Sequence, residues 1–84
     1  MPLQILYFGS FRERLGQAGE TLDAPLPATV ADLMVRLADR GDVWREVFAG
    51  SRPVMAAVNE QMVTPDTSVQ DGDTLALFPR VTGG

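Results

Sequence analysis

A stripe of apolar residues at helical spacing constrains the fold of this 84-residue chain more than any other feature. The apolar side chains recur three and four residues apart, which places them on one helix face: Val30, Leu33, Met34, Leu37 and Ala38. Thr29 is positioned to cap the N-terminus, with Asp32 as a weak capping-box partner, and Gly41 is positioned to end the helix. The pattern predicts one main helix over residues 29–40.

Short apolar runs on either side of this helix predict strands. The runs are residues 3–8, 20–24, 54–58, 62–63 and 74–78. Turn-forming residues separate several of them, including Asn59-Glu60 and Asp71-Gly72-Asp73. The order strand, strand, helix, strand, short strand, strand predicts an α+β fold. We expect a ubiquitin-like β-grasp, in which a mixed sheet of four to five strands packs on the one main helix.

Domain organisation follows from the same pattern. We expect residues 1–78 to form a single β-grasp domain and residues 79–84 to form a flexible C-terminal tail. Residues 11–19 are interpreted as a loop with at most one helical turn. An apolar cluster between residues 43 and 48, which includes Trp44, is interpreted as a short helical turn that packs on the core.

The composition excludes most catalytic chemistry. The chain contains no Cys, His or Lys, and its seven cationic side chains are all Arg. A disulfide framework, a Cys/His zinc site, a histidine general base and a Schiff-base lysine are therefore impossible. The absence of Lys has two open explanations, a functional one and a GC-rich genome in which Arg displaces Lys. We expect no bound cofactor and no metal.

Charge and hydropathy narrow the possible partners and location. Eleven acidic residues against seven Arg give a formal charge of −4, which opposes sequence-independent binding to nucleic-acid phosphates. No apolar run approaches the roughly 18 residues of a membrane span, and the start of the chain lacks the pattern of a signal peptide. We therefore expect a cytoplasmic protein that binds neither nucleic acid nor membranes.

The C-terminus carries the clearest chemical feature. The chain ends Pro79-Arg80-Val81-Thr82-Gly83-Gly84. The carboxylate of Gly84 is ionised at neutral pH and becomes an acyl donor only after activation, for example as an acyl-adenylate that a sulfur nucleophile attacks. Two glycines carry no side chains that would obstruct a narrow channel. The sequence of the tail alone supports two interpretations equally: a reactive carrier terminus, and a frayed terminus whose glycines are incidental.

Three fragments, in this order and in a chain of this length, carry a resemblance to a known family. They are LYFGSFRERLG at the first strand, MAAVNEQMV at the central hairpin and DGDTLALFPRVTGG at the last strand and tail. Together they resemble the MoaD family, the sulfur-carrier small subunits of molybdopterin synthase, among the MoaD/ThiS-type ubiquitin-like proteins. The resemblance extends over essentially the whole chain.

This resemblance implies a sulfur-transfer function. A ubiquitin-activating-type enzyme that uses ATP would adenylate Gly84, and a sulfurtransferase system would convert it to a thiocarboxylate, 1-thioglycine. The tail would then enter the synthase large subunit and donate sulfur to cyclic pyranopterin monophosphate, forming molybdopterin. Family members assemble as two small and two large subunits. The chain would not be an enzyme on its own.

The resemblance also assigns roles to individual residues. Gly84 is the carrier residue, and the tail residues that follow the channel are Gly83, Thr82, Val81 and Arg80. The residues expected to bind the large subunit are Phe8, Leu77, Phe78 and Pro79. The family tail commonly has two successive prolines, and Arg80 replaces the second one here, so its effect on tail insertion is open.

Two other functions are compatible with the sequence. One is a sulfur carrier for another pathway, namely thiazole and thiamine synthesis, cysteine synthesis or tRNA thiolation. The other is a β-grasp interaction module whose Gly-Gly end is incidental. Such a module would bind its partner fully after removal of residues 79–84.

Overall fold

Five strands and three helices form within residues 2–23, 25–50 and 53–80, which the computed structural model describes. In chain order they are β1 (Leu3–Tyr7), α1 (Ser10–Leu15), β2 (Gly19–Leu22), α2 (Val30–Ala38), α3 (Asp42–Phe48), β3 (Val54–Val58), β4 (Gln61–Val63) and β5 (Thr74–Pro79). No helix in these described ranges has the length and apolar character needed to cross a membrane.

The strands form one mixed sheet in the order β2-β1-β5-β3-β4. β1 and β5 run parallel, with Tyr7 opposite Leu77, and the other neighbouring pairs are antiparallel. The last strand therefore lies at the centre of the sheet. The chain leaves β5 at the same end of the sheet at which β1 ends. The predicted α+β β-grasp architecture with a mixed sheet is confirmed.

The helices pack against one face of the sheet and form the core with it. Completely buried side chains come from the central strands and from the apolar stripe of α2: Leu3, Ile5, Leu75, Leu77, Val30, Leu33 and Leu37. Burying a side chain of this size contributes roughly 1.5–3 kcal/mol. The alternation of buried residues along β1 and β5 leaves their intervening side chains on the opposite face of the sheet.

The main helix starts where the sequence predicts and ends earlier. The Asp32 amide donates a hydrogen bond of 3.2 Å to Thr29 Oγ1, so Thr29 is the N-cap. α2 stops at Ala38, and Gly41 precedes α3 instead of ending α2, so the predicted C-terminus is wrong. The reason is that α3 buries its own apolar face in the same core, which requires the chain to change direction before Asp42.

Two segments are more helical than the sequence indicates. Residues 10–15 form α1, whose Phe11 side chain is buried and holds the segment on the core, and Gly16 ends it at φ 74°. Residues 42–48 form the two-turn helix α3, in which Trp44 packs edge-on against Tyr7 at 5.8 Å between ring centroids. The core role predicted for Trp44 is confirmed.

The turn between β3 and β4 is a two-residue hairpin, as the sequence predicts. Asn59 and Glu60 both have positive φ, 50° and 72°, which is the conformation of a type I′ turn. Asn59 also joins this hairpin to β5, because its amide donates to the Thr74 carbonyl at 2.8 Å.

Candidate functional site

The root of the C-terminal tail is held between β1 and the turn that follows it. The Phe8 amide donates a hydrogen bond of 3.1 Å to the Leu77 carbonyl, which continues the parallel pairing one residue beyond β1. Gly9 adopts φ 60°, and a Cβ atom at this position would lie 3.4 Å from the Pro79 ring. Pro79 is still part of β5, one residue past the predicted end of the strand, and Arg80 follows it exposed to solvent.

The sheet face opposite the helices, here called the open face, carries its side chains in three rows. The middle row, from β2 to β4, contains Gly19, Leu6, Ala76, Ala57 and Met62. The row nearest the tail contains Phe8, Phe78 and Met55, and the row at the far end contains Thr21, Gln4 and Thr74. The two rows nearer the tail are thus apolar, and the far row is polar.

The apolar part of the open face has the character of a protein-binding surface. Phe8 and Met62 are 46% and 58% exposed although both are large and apolar. Between Leu6 and Met62, the small side chains of Ala76 and Ala57 lie side by side. None of the residues in the three rows carries a charge. A contiguous apolar surface with a polar edge is typical of an interaction site.

The residues expected to bind a partner divide into two groups. Phe8 and Phe78 lie together at the tail end of the open face, where the expected contact is sterically possible. Pro79, in contrast, lies opposite Val54 on the helix side of the same end of the sheet. Leu77 is 0% exposed, because its side chain points to the opposite side from Phe78 and enters the core beneath α2. The docking role expected for Leu77 is therefore wrong, and Leu77 is a core residue.

The remaining sequence-predicted residues concern the tail itself. Arg80 lies at the root of the tail, fully accessible to a partner. Val81, Thr82, Gly83 and Gly84 lie outside the described residues, so their proposed carrier and channel roles stay predictions.

Sequence reasoning missed three residues of the open face: Leu6, Met55 and Met62. The first strand gave a signal for Leu6, because residues 3–8 are apolar on both alternating phases, which is typical of a strand covered on both faces. Met55 and Met62 reach the same surface only through the pairing of β3 with β5 and β4.

A cluster on the helix side of the sheet fixes the edge strand β2. Tyr7 Oη donates to Glu20 Oε2 at 2.7 Å, and Arg40 donates to both carboxylate oxygens at 2.7 and 2.9 Å. The Arg40 guanidinium also lies 4.8 Å from the centre of the Trp44 ring, a cation–π contact. These four side chains satisfy one another and leave no free nucleophile or base, so we assign them a structural role.

The ionisation of this cluster agrees with that role. Burial raises the pKa of Tyr7 above its ordinary value, and the hydrogen bond to Glu20 raises it further. Burial alone would raise the pKa of Glu20, but hydrogen bonds from Arg40 and Tyr7 outweigh it and lower this pKa. The hydrogen bonds to Glu20 raise the pKa of Arg40. At neutral pH the cluster is thus a neutral phenol beside an ion pair.

Acidic residues outside this cluster stabilise turns. Asp73 accepts hydrogen bonds from Asn59 Nδ2 and from the Gln70 amide, both at 3.0 Å, which confirms the turn interpretation of Asp71-Gly72-Asp73. Within the described ranges, no group of three or more acidic side chains is arranged to hold a metal ion.

The mixed sheet, the helices on one face and the last strand at the sheet centre define a ubiquitin-like β-grasp protein. The sequence model of the ThiS family matches residues 5–84, and this chain belongs to that family. The molybdopterin synthase sulfur carrier subunit of Escherichia coli (strain K12) is 35% identical over 82 residues, which is 98% of this chain and 99% of the relative. The resemblance to the MoaD/ThiS-type proteins is confirmed.

Solved structures show the same fold. The solution structure of the Haloferax volcanii HVO 2177 protein has a TM-score of 0.77 at 28% identity and covers 100% of this chain and 87% of that chain. A chain in the complex of subunits 1 and 2 of the molybdopterin-converting factor from Helicobacter pylori 26695 has a TM-score of 0.66 at 21% identity, with 100% of both chains covered. The second likeness is one of fold.

Proposed function

We propose that this chain is the sulfur carrier subunit of molybdopterin synthase and is not an enzyme on its own. The observation that carries the proposal is its similarity, over 98% of its length, to the carrier subunit of Escherichia coli. The structure supports it by placing the strand that leads to the Gly-Gly end at the centre of a rigid sheet.

The chemistry takes place on the Gly84 carboxylate. One carboxylate oxygen attacks the α-phosphorus of ATP on a ubiquitin-activating-type enzyme, and pyrophosphate leaves. Hydrosulfide, the form in which the sulfurtransferase system delivers the sulfur, then attacks the acyl carbon and expels AMP, which leaves a thiocarboxylate and releases the proton of the hydrosulfide. We expect the acid and base groups for these steps on the partner enzymes, because this chain has no His, Cys or Lys. We place these ATP-dependent steps in the cytoplasm.

The open face and the tail act together in the proposed complex with the large subunit. Phe8 and Phe78 lie beside the point where the chain leaves the sheet, so docking of this face also directs the tail towards the large subunit. Residues 80–84 in extended form reach about 17 Å from Pro79. That reach suffices for Gly84 to enter a partner's active site while the domain stays outside. The Helicobacter pylori complex supports such pairing, and we propose two small and two large subunits.

The open face indicates the chemistry of the partner surface. Its two rows nearer the tail are apolar, and Phe8 and Met62 are exposed, so the surface of the partner that covers them should also be apolar.

A carrier role in thiazole synthesis is the second candidate, because the matching sequence model is that of the ThiS family. The acceptor distinguishes the two. The proposed function predicts sulfur transfer to cyclic pyranopterin monophosphate on the synthase large subunit, whereas a thiazole carrier would transfer sulfur only to a thiazole-forming enzyme.

The test is thiocarboxylation followed by transfer. The chain is incubated with ATP, a sulfide source and the adenylating enzyme of the same organism, and the intact mass should rise by about 16 Da as sulfur replaces oxygen. Addition of the large subunit and cyclic pyranopterin monophosphate should return the mass to its original value and yield molybdopterin.

A variant that lacks Gly84 serves as the control. It should fold normally, because residue 84 lies beyond the sheet, and it should gain no sulfur. An unchanged mass of the full chain with an active cognate adenylating enzyme would contradict the proposal.

A further inference from the structure

Charged side chains are segregated along the strand direction. Four carboxylates lie at the end of the sheet where β1 and β5 begin: Asp23, Glu60, Asp71 and Asp73. Pairing places Asp23 and Asp73 there, since Leu22 lies opposite Leu3 and the Gln4 amide donates to the Asp73 carbonyl at 2.9 Å. The neighbours of Glu60 and Asp71 are bonded to the same end, because the Asn59 amide donates to the Thr74 carbonyl at 2.8 Å and the Gly72 amide to the Pro2 carbonyl at 3.3 Å. The turn segments 22–23, 59–61 and 71–73 contain no arginine. This end of the molecule is therefore acidic.

The opposite end, where the tail leaves, is basic. Arg80 follows Pro79, and Arg12 and Arg14 lie on α1, which begins directly after Gly9. Arg14 pairs with Glu46 at 2.6 Å, whereas Arg12 and Arg80 make no ion pair with any other described residue. Glu13 is the one carboxylate on α1. Three arginines (Arg12, Arg14 and Arg80) against two carboxylates (Glu13 and Glu46) give a net charge of +1 among these residues beside the root of the tail, although the whole chain carries −4.

The two ends act as separate charged surfaces. β5 has six residues, and at a rise of about 3.3 Å each they separate the ends by roughly 17 Å. The Debye length at physiological ionic strength is only about 8 Å. A partner that approaches the tail edge is therefore screened from the acidic end and interacts mainly with Arg80 and Arg12.

We infer that the protein that receives the tail surrounds its apolar docking surface with acidic side chains, which face Arg80 and Arg12. The inference rests on the proposed function and names the chemistry of the partner at that same interface. The apolar rows of the open face are uncharged, so the charges that orient the carrier as it approaches are those at the end where the tail leaves: Arg80, which follows β5, and Arg12, which lies on α1 at the helix side of that end. The carrier is drawn in tail first, while its acidic end is repelled.

Association kinetics with the purified large subunit of the same organism test this inference. Arg80→Glu should lower the association rate constant about tenfold at low salt, and Arg12→Glu should lower it by a smaller factor. Both differences from the unmodified chain should shrink below about twofold at 0.5 M salt, because screening removes the steering. The dissociation rate should change less than the association rate.

Arg45→Glu is the matched control, since it changes the net charge equally but lies exposed on α3, away from the tail. It should change the association rate less than twofold. If Arg45→Glu slows association as much as Arg80→Glu, net charge governs the encounter and the inference is overturned. Equal rates for Arg80→Glu and the unmodified chain would also overturn it. Intact-mass measurement of thiocarboxylation reports on the proposed function separately.

Discussion

The hydroxyl of Tyr7 on β1 donates a hydrogen bond of 2.7 Å to Glu20 on the adjacent edge strand β2. Arg40 binds the same carboxylate through two nitrogens, so one glutamate joins β1, β2 and the end of α2. β2 has only four residues and one neighbouring strand, which makes this side-chain link important for holding it in place. Glu20 is therefore the acid whose protonation affects the fold most directly.

Stability should fall on acidification because of Glu20. Its pKa in the folded chain lies below the unfolded value, so its stabilising effect is complete above about pH 4.3 and is lost as pH falls through the folded pKa. Glu20→Gln should lower the free energy of unfolding at pH 7 by about 1–2 kcal/mol and flatten its dependence on acidic pH. Urea titrations between pH 2.5 and 7 measure both effects.

Glu46→Gln is the control for this experiment. Glu46 also pairs with an arginine, but its side chain is 65% exposed, so the loss should stay below about 0.5 kcal/mol. Equal losses for the two variants would show that the Tyr7–Glu20–Arg40 cluster has no special role.

Met62 should contribute to docking of the large subunit and little to folding. It is 58% exposed on the open face, so Met62→Ser should weaken binding tenfold to a hundredfold while stability changes by about 0.5 kcal/mol or less. Titration calorimetry and thermal unfolding give the two numbers. Val35→Ser is a matched control, because Val35 is 71% exposed but lies on α2. Similar binding losses for both variants would contradict the assignment of the open face.

Glu60→Gly should stabilise the protein. Glu60 has φ 72°, a conformation that glycine adopts without strain, and Asn-Gly is the preferred pair in a type I′ turn. We expect a gain of about 0.5–1 kcal/mol in the free energy of unfolding, measured by urea denaturation. Glu60→Ala removes the same charge but retains a Cβ atom. If Glu60→Ala stabilises equally, relief of repulsion from Asp71 and Asp73 is the cause, and the conformational explanation is wrong.

Leu77 and Phe78 should respond in opposite ways to truncation, although they are adjacent. Leu77→Ala opens a cavity in the core and should cost about 2–5 kcal/mol of stability, with Leu77→Val as a milder variant that stays folded. Phe78→Ala should affect binding of the large subunit more than folding. Chemical denaturation and binding titrations on the same variants separate the two effects. A stable Leu77→Ala variant that has lost binding would restore the docking role for Leu77.

Most of the fold follows from local patterns in the sequence. The stripe from Val30 to Ala38, the cap at Thr29 and the Asn59-Glu60 turn each depend on nearby residues, and each is found where predicted. The sequence underestimates the length of α1 because the helix has only six residues, two of them arginines, with a glycine on either side. The helix depends on burial of Phe11 in the core.

The residues of the candidate site are far apart in the sequence, so the sequence predicts only part of the site. Phe8 and Phe78 are far apart in the chain and meet because β1 and β5 pair in parallel. The resemblance to a known family assigned both residues to docking but did not specify this pairing. The prediction for Leu77 is wrong because residues of the docking surface and residues of the core alternate along β5. A shift of one residue along the strand therefore moves a side chain from one face of the sheet to the other. Met55 and Met62 depend on the strand register, which a single sequence does not specify.

The central position of β5 determines how the domain responds to a force applied to its C-terminal tail. Tension applied to the tail acts along β5, whose backbone is bonded to β1 on one side and β3 on the other. Such a force shears both ladders at once, whereas an edge strand would peel away one bond at a time. If the tail enters a partner as proposed, we expect the domain to resist unravelling from that end.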